Sequence, residues 1–333
     1  MAPEAGATAT SLGTAVEAAV ARLRASGSDT ARLDAELLVA HVLRVDRTTV
    51  IAHPEVPLSP DAARGLDEAV GRRERGEPVA YIRGVKEFHG LAFSVDSRAL
   101  IPRPDTEVLV DLGVARVVDR ILSAGRCRVV DVGTGSGAVA VAVAATLRTR
   151  GMLHAADLVA TDVSADALVL ATENAVAHGL ADTIRFARAD LLEADEAGVS
   201  AAGHTGDPGS ARSAPPLSAI DVLLANLPYV PSADVPRLPV AASFEPRRAL
   251  DGGPDGLDLV RRLLAQLPGA LARGGVALLE IGAGEADAVR TAVERVLPGW
   301  SVEFHRDLAG IDRVAEVRAP GGRTGEMVTG GGA

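Results

Sequence analysis

The chain has 333 residues, 47% hydrophobic and 23% charged, which gives room for about two domains with packed cores and excludes global disorder. A net charge of -10 argues against a nucleic-acid backbone as the main partner. No internal disulfide is possible with Cys127 alone, and the residue is expected as a small buried member of a strand.

The first ten residues are small and polar, and Met1 to Val20 lacks the basic start and apolar core expected of a secretory signal. From Leu12 to about Arg75 the apolar positions recur at helix spacing: Val16, Ala19, Val20 and Leu23, then Leu33, Leu37, Leu38, Val42 and Leu43. Ser59-Pro60-Asp61 reads as a helix start, and Leu66 and Val70 share one face of that helix. A helical N-terminal domain is therefore expected over residues 1–76.

Residues 77–107 change character. Val79, Tyr81, Phe88, Leu91, Phe93 and Val95 predict short strands or a hairpin linking two domains. Aromatics are 2% of the chain, so their gathering here and at Tyr229 is informative.

A third segment, 108–319, alternates strands with helices. Strands are predicted at Arg128–Val132, Leu158–Thr161, Ile184–Ala187, Ile220–Ala225 and Val276–Ile281, with a closing pair at Trp300–His305 and Arg313–Val317. Helices are predicted at Ala138–Leu147, Ala165–His178, Leu257–Leu271 and Ala286–Val296. The alternation predicts an α/β fold, a mostly parallel doubly wound sheet with helices on both faces. Ala194–Ser218 interrupts it and reads as a flexible insertion, and 320–333 reads as a disordered tail. No run approaches the ~20 apolar residues of a membrane span. The seven His residues show no metal-ligand spacing, so no metal is expected. A soluble cytoplasmic monomer is the resulting expectation.

The sharpest motif is Asp131-Val132-Gly133-Thr134-Gly135-Ser136-Gly137, between a buried strand and a helix. Glycines there permit a tight turn and close approach of a ligand to the backbone. Gly133, Gly135 and Ala138 also satisfy the weaker dinucleotide fingerprint. Asp131 beside the loop suits a cation-bearing ligand such as S-adenosyl-L-methionine better than a pyrophosphate. Asp162 ends the next strand, where an acid can accept from both ribose hydroxyls; a helix cap is the structural alternative. Asp190 and Leu191 follow the third strand, at a point that edges the adenine in many methyltransferases; a plain loop carboxylate is the alternative.

Asn226-Leu227-Pro228-Tyr229 follows the fourth strand, at the carboxyl edge where open α/β sheets bind ligands. An amide or aromatic-amine nitrogen is a poor nucleophile because its lone pair is delocalised. Two acceptors, the Asn226 side-chain oxygen and the Leu227 carbonyl, can hold its N–H groups and turn the lone pair toward a methyl sulfonium. Pro228 restricts Leu227 to an extended conformation, and Tyr229 offers a flat face to a planar target.

Gly76-Glu77-Pro78-Val79-Ala80-Tyr81-Ile82-Arg83-Gly84, Glu87-Phe88 and Leu100-Ile101-Pro102-Arg103-Pro104-Asp105-Thr106-Glu107 resemble the release-factor N5-glutamine methyltransferases. So do Phe244-Glu245-Pro246, Gly252-Gly253-Pro254-Asp255-Gly256-Leu257 and Glu280-Ile281-Gly282. The resemblance implies a seven-stranded class I methyltransferase domain behind a helical N-terminal substrate-recognition domain. It also implies methylation of the glutamine in the Gly-Gly-Gln loop of peptide chain release factors, in support of translation termination. It carries the cofactor role onto Gly133, Thr134, Gly135, Ser136, Gly137 and Asp162, with Asp131, Asp190, Leu191 and Asn226 beside them. Phe88, Arg103, Glu107, Asn226, Pro228 and Tyr229 are placed toward the substrate; Arg103 and Glu107 could instead order the linker through ion pairing. Leu227 departs from the family, which usually has Pro there. His89 stands where a second aromatic is common, and Leu191 where some members place an aromatic. Asn-Leu-Pro-Tyr is also the spelling in RNA adenine dimethyltransferases, so an adenine-N6 methyltransferase on RNA or DNA is the enzymatic alternative. A release-factor or ribosome-binding protein without turnover is the non-catalytic one. No hydride-transfer site supports a dehydrogenase.

Overall fold

The computed structural model describes residues 10–194 and 217–321. The expected insertion over 194–218 and the tail over 320–333 therefore fall almost wholly outside the described residues. Two compact units emerge, one from residues 10–85 with Leu238–Phe244, the other from residues 86–194, 217–237 and 245–321.

The first unit is helical: α1 Leu12–Ala25, α2 Ala31–Leu43, α3 Arg47–Ala52, α4 Pro60–Glu74 and α5 Val79–Arg83. Ser59 caps α4 by accepting the Ala62 N–H, with Pro60 in the first turn as predicted. Leu23, Leu38 and Val70 centre the core. The buried face of α2 runs through Ala31, Ala35, Leu38 and Val39, and Leu33 is 41% exposed. Leu33 lies two positions from both Ala31 and Ala35, about 200° round the helix from each, and so falls on the opposite face. Asp34 is buried on the same helix and is held by the hydroxyls of Ser28 and Thr30 and by Arg73. Val79 and Tyr81, expected in strands, lie in α5, whose turn is entered from Pro78 and closed by Gly84 in the left-handed conformation.

The second unit opens with a hairpin, β1 Val85–Phe88 and β2 Leu91–Ser94. Helix α6 Glu107–Ala124 follows, burying Leu109, Val110, Gly113, Val114 and Val117. Then come β3 Cys127–Val132, α7 Ala138–Thr149, β4 Ala156–Asp162, α8 Ala165–Ala177, β5 Ile184–Asp190, the two-residue β6 Glu193–Ala194 and β7 Ile220–Ala225. The unit ends with α9 Asp258–Ala270, β8 Leu271–Glu280, α10 Ala286–Val296, β9 Ser301–Arg306 and β10 Asp312–Arg318. The seven predicted strands form one sheet, extended at its edge by β6, in the order β6-β5-β4-β3-β7-β8-β10-β9. Strands β5, β4, β3, β7 and β8 are parallel, and β10 runs antiparallel to both β8 and β9. Cys127 begins β3 and is buried, as expected; burial pushes its thiol up to about 12, so it is inert as a thiolate.

Helix α6 was not among the predicted elements. Its Gly113 admits the Leu224 side chain of β7, whose Cδ2 would lie 2.8 Å from an added Cβ. The sheet order reverses at β3, flanked by β4 and β7, so a crevice opens at the carboxyl ends of these three strands. No helix among the described residues is long and apolar enough to cross a membrane.

Candidate active site

The crevice is lined by the loop after β3, the ends of β4, β5 and β7, the 98–106 segment and residues 246–249, all within the second unit. Gly133, Gly135 and Gly137 adopt φ of 72°, 56° and 81°, the left-handed region. Gly137 is the most constrained of them. An added Cβ would sit 3.0 Å from Ala171 Cβ and 3.1 Å from Ala171 Cα, so the close approach of this turn to α8 needs glycine.

Two carboxylates shape the loop. Asp131 Oδ2 accepts from Thr134 Oγ1 at 2.6 Å and from the Ala140 N–H at 3.2 Å. Asp131 borders the crevice, but this oxygen is spent on holding the loop to the start of α7. Burial pushes its carboxyl up to about 6, against these hydrogen bonds. Asp162 Oδ2 accepts the Gly135 N–H at 2.9 Å, and Oδ1 accepts the Ser164 N–H at 2.8 Å. A carboxylate has about four acceptor sites. Besides these N–H groups and that of Val163, the carboxylate keeps acceptor capacity on the crevice side. Ser164 caps α8 itself by accepting the Ala167 N–H, which separates the cap from the Asp162 role. Burial raises Asp162, while the N–H groups of Ser164, Gly135 and Val163 and the Arg248 charge oppose the rise.

Asn174 is a support the sequence reading missed. It donates to Ser136 O at 2.9 Å and Ser94 O at 3.1 Å, and accepts the Ser94 N–H at 2.8 Å. One buried amide on α8 thereby ties the glycine loop to the β1–β2 hairpin. An Asn on an otherwise apolar helix face is the only sequence signal for it. Asp190 and Leu191 border the crevice where predicted, Leu191 with a left-handed φ of 57° and Asp190 paired to Arg262 at 2.8 Å.

Asn226 leaves β7 into the crevice and donates from Nδ2 to Thr106 Oγ1 at 3.0 Å. Leu227 is buried against Gly133, its Cδ2 lying 3.1 Å from where a Cβ would be. Leu227 and Pro228 line the crevice; Tyr229 is not among the lining residues. The next residues are stitched to 250–253 by Val230 N–H to Leu250 O and Gly252 N–H to Val230 O, both 2.9 Å. Gly252 packs so tightly that a Cβ would lie 2.6 Å from Pro228 O and also strike Gly256 O. The Gly252-Gly253-Pro254-Asp255-Gly256 motif thus buttresses the turn.

Of the other predicted substrate residues, Arg103 borders the crevice and pairs with buried Glu245 at 2.8 Å. Glu107 accepts the His89 N–H at 2.9 Å, and His89 takes a left-handed φ of 50°. Arg103 and Glu107 therefore serve separate partners. Phe88 is fully buried, edge-on to Phe93, and does not line the crevice.

Residues 14–84 match the PrmC N-terminal domain family. The chain is 38% identical to a release factor glutamine methyltransferase of Moorella thermoacetica, over 89% of this chain and 94% of that protein. It is 34% identical to one from Deinococcus radiodurans, over 91% and 97%. The chain belongs to the release factor glutamine methyltransferase family. Among solved structures, a release-factor-specific protein-(glutamine-N5) methyltransferase of Alicyclobacillus acidocaldarius is 28% identical, covering 68% of this chain and 100% of that one, with a TM-score of 0.34. In the Asn226-Leu227-Pro228-Tyr229 turn, the geometry gives Leu227 a packing task against Gly133.

Proposed function

We propose that this chain transfers a methyl group from S-adenosyl-L-methionine to the side-chain N5 of the glutamine in the Gly-Gly-Gln loop of peptide chain release factors. The observation that supports this best is the Asn226 amide. Its Nδ2 is engaged by Thr106, which leaves Oδ1 as an acceptor beside the glycine loop. Relatives are named release factor glutamine methyltransferase, which agrees with this reading.

When bound, S-adenosyl-L-methionine supplies an electrophilic methyl group on a sulfonium. Asp162 would accept from the ribose hydroxyls, and Asp190 and Leu191 would border the adenine. The Gly133–Gly137 turn admits the remainder of the ligand to the backbone. On the substrate side, Asn226 Oδ1 and the Leu227 carbonyl accept the two amide N–H groups. Held so, the amide nitrogen would present its lone pair toward the crevice, and the N–H proton displaced on methylation would pass to solvent. Alignment and fixed dipoles carry the rate in such a displacement.

Replacement of Asp162 by Ala is expected to raise the Kd for S-adenosyl-L-methionine about 10²-fold, the loss of two charge-assisted hydrogen bonds. Isothermal titration calorimetry checks this; an unchanged Kd would remove Asp162 from the cofactor site.

The reaction itself is tested by incubating the full chain with labelled S-adenosyl-L-methionine and either a purified release factor or an adenine-containing RNA. Label is expected in the release factor. Label in the RNA alone would favour the adenine-N6 reading of Asn226-Leu227-Pro228-Tyr229. Cofactor binding with no transfer to either would favour a binding protein without turnover.

A further inference from the structure

Asn226 and Glu280 stand side by side at the carboxyl ends of neighbouring strands, because Ala225 pairs with Leu279 in the β7–β8 register. Glu280 is 4% exposed and lies behind the crevice wall, which Thr106 and Asn226 line and Glu280 does not. Its Oε2 has no hydrogen-bond partner among the described residues. The charged or titratable groups that bear on it are Asp105, Arg313 and Tyr229. Arg313 is already paired with Asp105 at 2.8 Å and Asp307 at 2.9 Å, so no cation is dedicated to Glu280. An incompletely satisfied buried carboxyl is costly, and Thr106, Asn226 and Arg313 offset that cost only in part.

We propose that Glu280 is a positioning residue for methyl transfer: with the Thr106 hydroxyl it holds the Asn226 NH2 group and so turns Asn226 Oδ1 toward the substrate amide. The inference rests on the reading that Asn226 grips that amide. Above the value near 7 to which burial raises it, Glu280 is ionised and its carboxylate only accepts hydrogen bonds. An Asn set against it must present NH2, since the flipped amide would bring oxygen against oxygen. Thr106 Oγ1 accepts from the same NH2 group, and its own hydroxyl proton is then free for Glu280. Both hydrogens of Nδ2 are thereby drawn inward, and Oδ1 is the atom left for the substrate. Gln at 280 would abolish this one-way rule, because its NH2 can donate to Asn226 Oδ1 and reverse the amide.

The full-length chain carrying Glu280→Gln, Thr106→Val or Thr106→Ser tests this. In Glu280→Gln and Thr106→Val, kcat on the release factor is expected to fall about tenfold or more, with KM for S-adenosyl-L-methionine within about twofold. Thr106→Ser, which keeps the hydroxyl, is expected to retain most activity. The melting temperature of Glu280→Gln at about pH 8 is expected to equal or exceed that of the wild type, because the variant removes a buried charge. Unchanged kcat in Glu280→Gln would overturn the proposal. So would a loss that comes with a lower melting temperature and a matching loss of cofactor affinity. The side-chain NH2 signals of Asn226 in a 15N–1H spectrum, identified by their absence in Asn226→Ala, give an arm independent of turnover. They are expected to shift in Glu280→Gln; unmoved signals would overturn the proposal even if methylation is robust. Shifted signals in a protein that methylates no release factor would overturn the substrate assignment and support the orientation.

Discussion

Replacing Asn226 by Ala is expected to lower the rate of methyl transfer by about 10²–10³-fold, the usual effect of deleting one preorganised polar contact at a reacting centre. Cofactor affinity is expected to stay within a few fold, since the glycine turn and Asp162 do not depend on the Asn226 side chain for any hydrogen bond. The loss should appear in kcat because the Asn226 acceptor acts on the amide as its lone pair is recruited. Asn226→Asp is expected to fare no better. It would set a second carboxylate beside Glu280, which burial already pushes up to about 7, and like charges there suppress ionisation of one partner. Steady-state kinetics beside a thermal melt checks this; a variant with near-normal kcat would remove Asn226 from the mechanism.

The second large effect lies away from the crevice. Glu316 on β10 is 1% exposed and meets Arg116 from α6, His305 from β9 and Arg318 on its own strand. Burial opposes its ionisation, but His305, Arg116 and Arg318 outweigh burial and hold the carboxyl down to about 2. Glu316→Ala would strand these groups around an empty position, and the expected cost is about 3–5 kcal/mol. Urea unfolding near neutral pH measures it. The sign with pH follows from a folded value below the unfolded one. The stabilisation is fully present above the ordinary carboxylate range near 4.5 and is lost as pH falls toward about 2. The gap between wild type and variant should therefore narrow on acidification; a constant gap would show that the ion cluster is not its source.

Much of this arrangement is legible in the sequence because it is local. A continuous apolar strand running into Gly133-Thr134-Gly135-Ser136-Gly137 can only be a buried strand followed by a tight turn, and Ile220–Ala225 leads directly to Asn226. Helix α6 has helical spacing in Leu109, Val110, Val114 and Val117, yet it begins directly after the Pro-rich 101–106 run, which reads as a linker and masks the start. Val79 and Tyr81 alternate like a strand, but Pro78 and Gly84 fence them into a single helical turn.

What spacing cannot reveal is which neighbour takes a polar group's lone pairs. Asp131 precedes the glycines as a ligand-facing acid would, and one of its oxygens is bound to Thr134 and Ala140. Thr106 and Asn226 are 120 residues apart and meet only because α6 packs on β7. Glu280 joins them through strand register, which no local pattern encodes. Leu227, the least typical residue of the turn by sequence, acquires a reason once its contact with Gly133 is seen.

The central claim is the identity of the methylated atom. A purified release factor incubated with the chain and S-adenosyl-L-methionine should, on digestion and tandem mass spectrometry, carry a single added methyl on the side-chain amide of the Gly-Gly-Gln glutamine, and this mark should be absent with Asn226→Ala. A methyl group on another residue, or on the same glutamine at equal rate with Asn226→Ala, would contradict it.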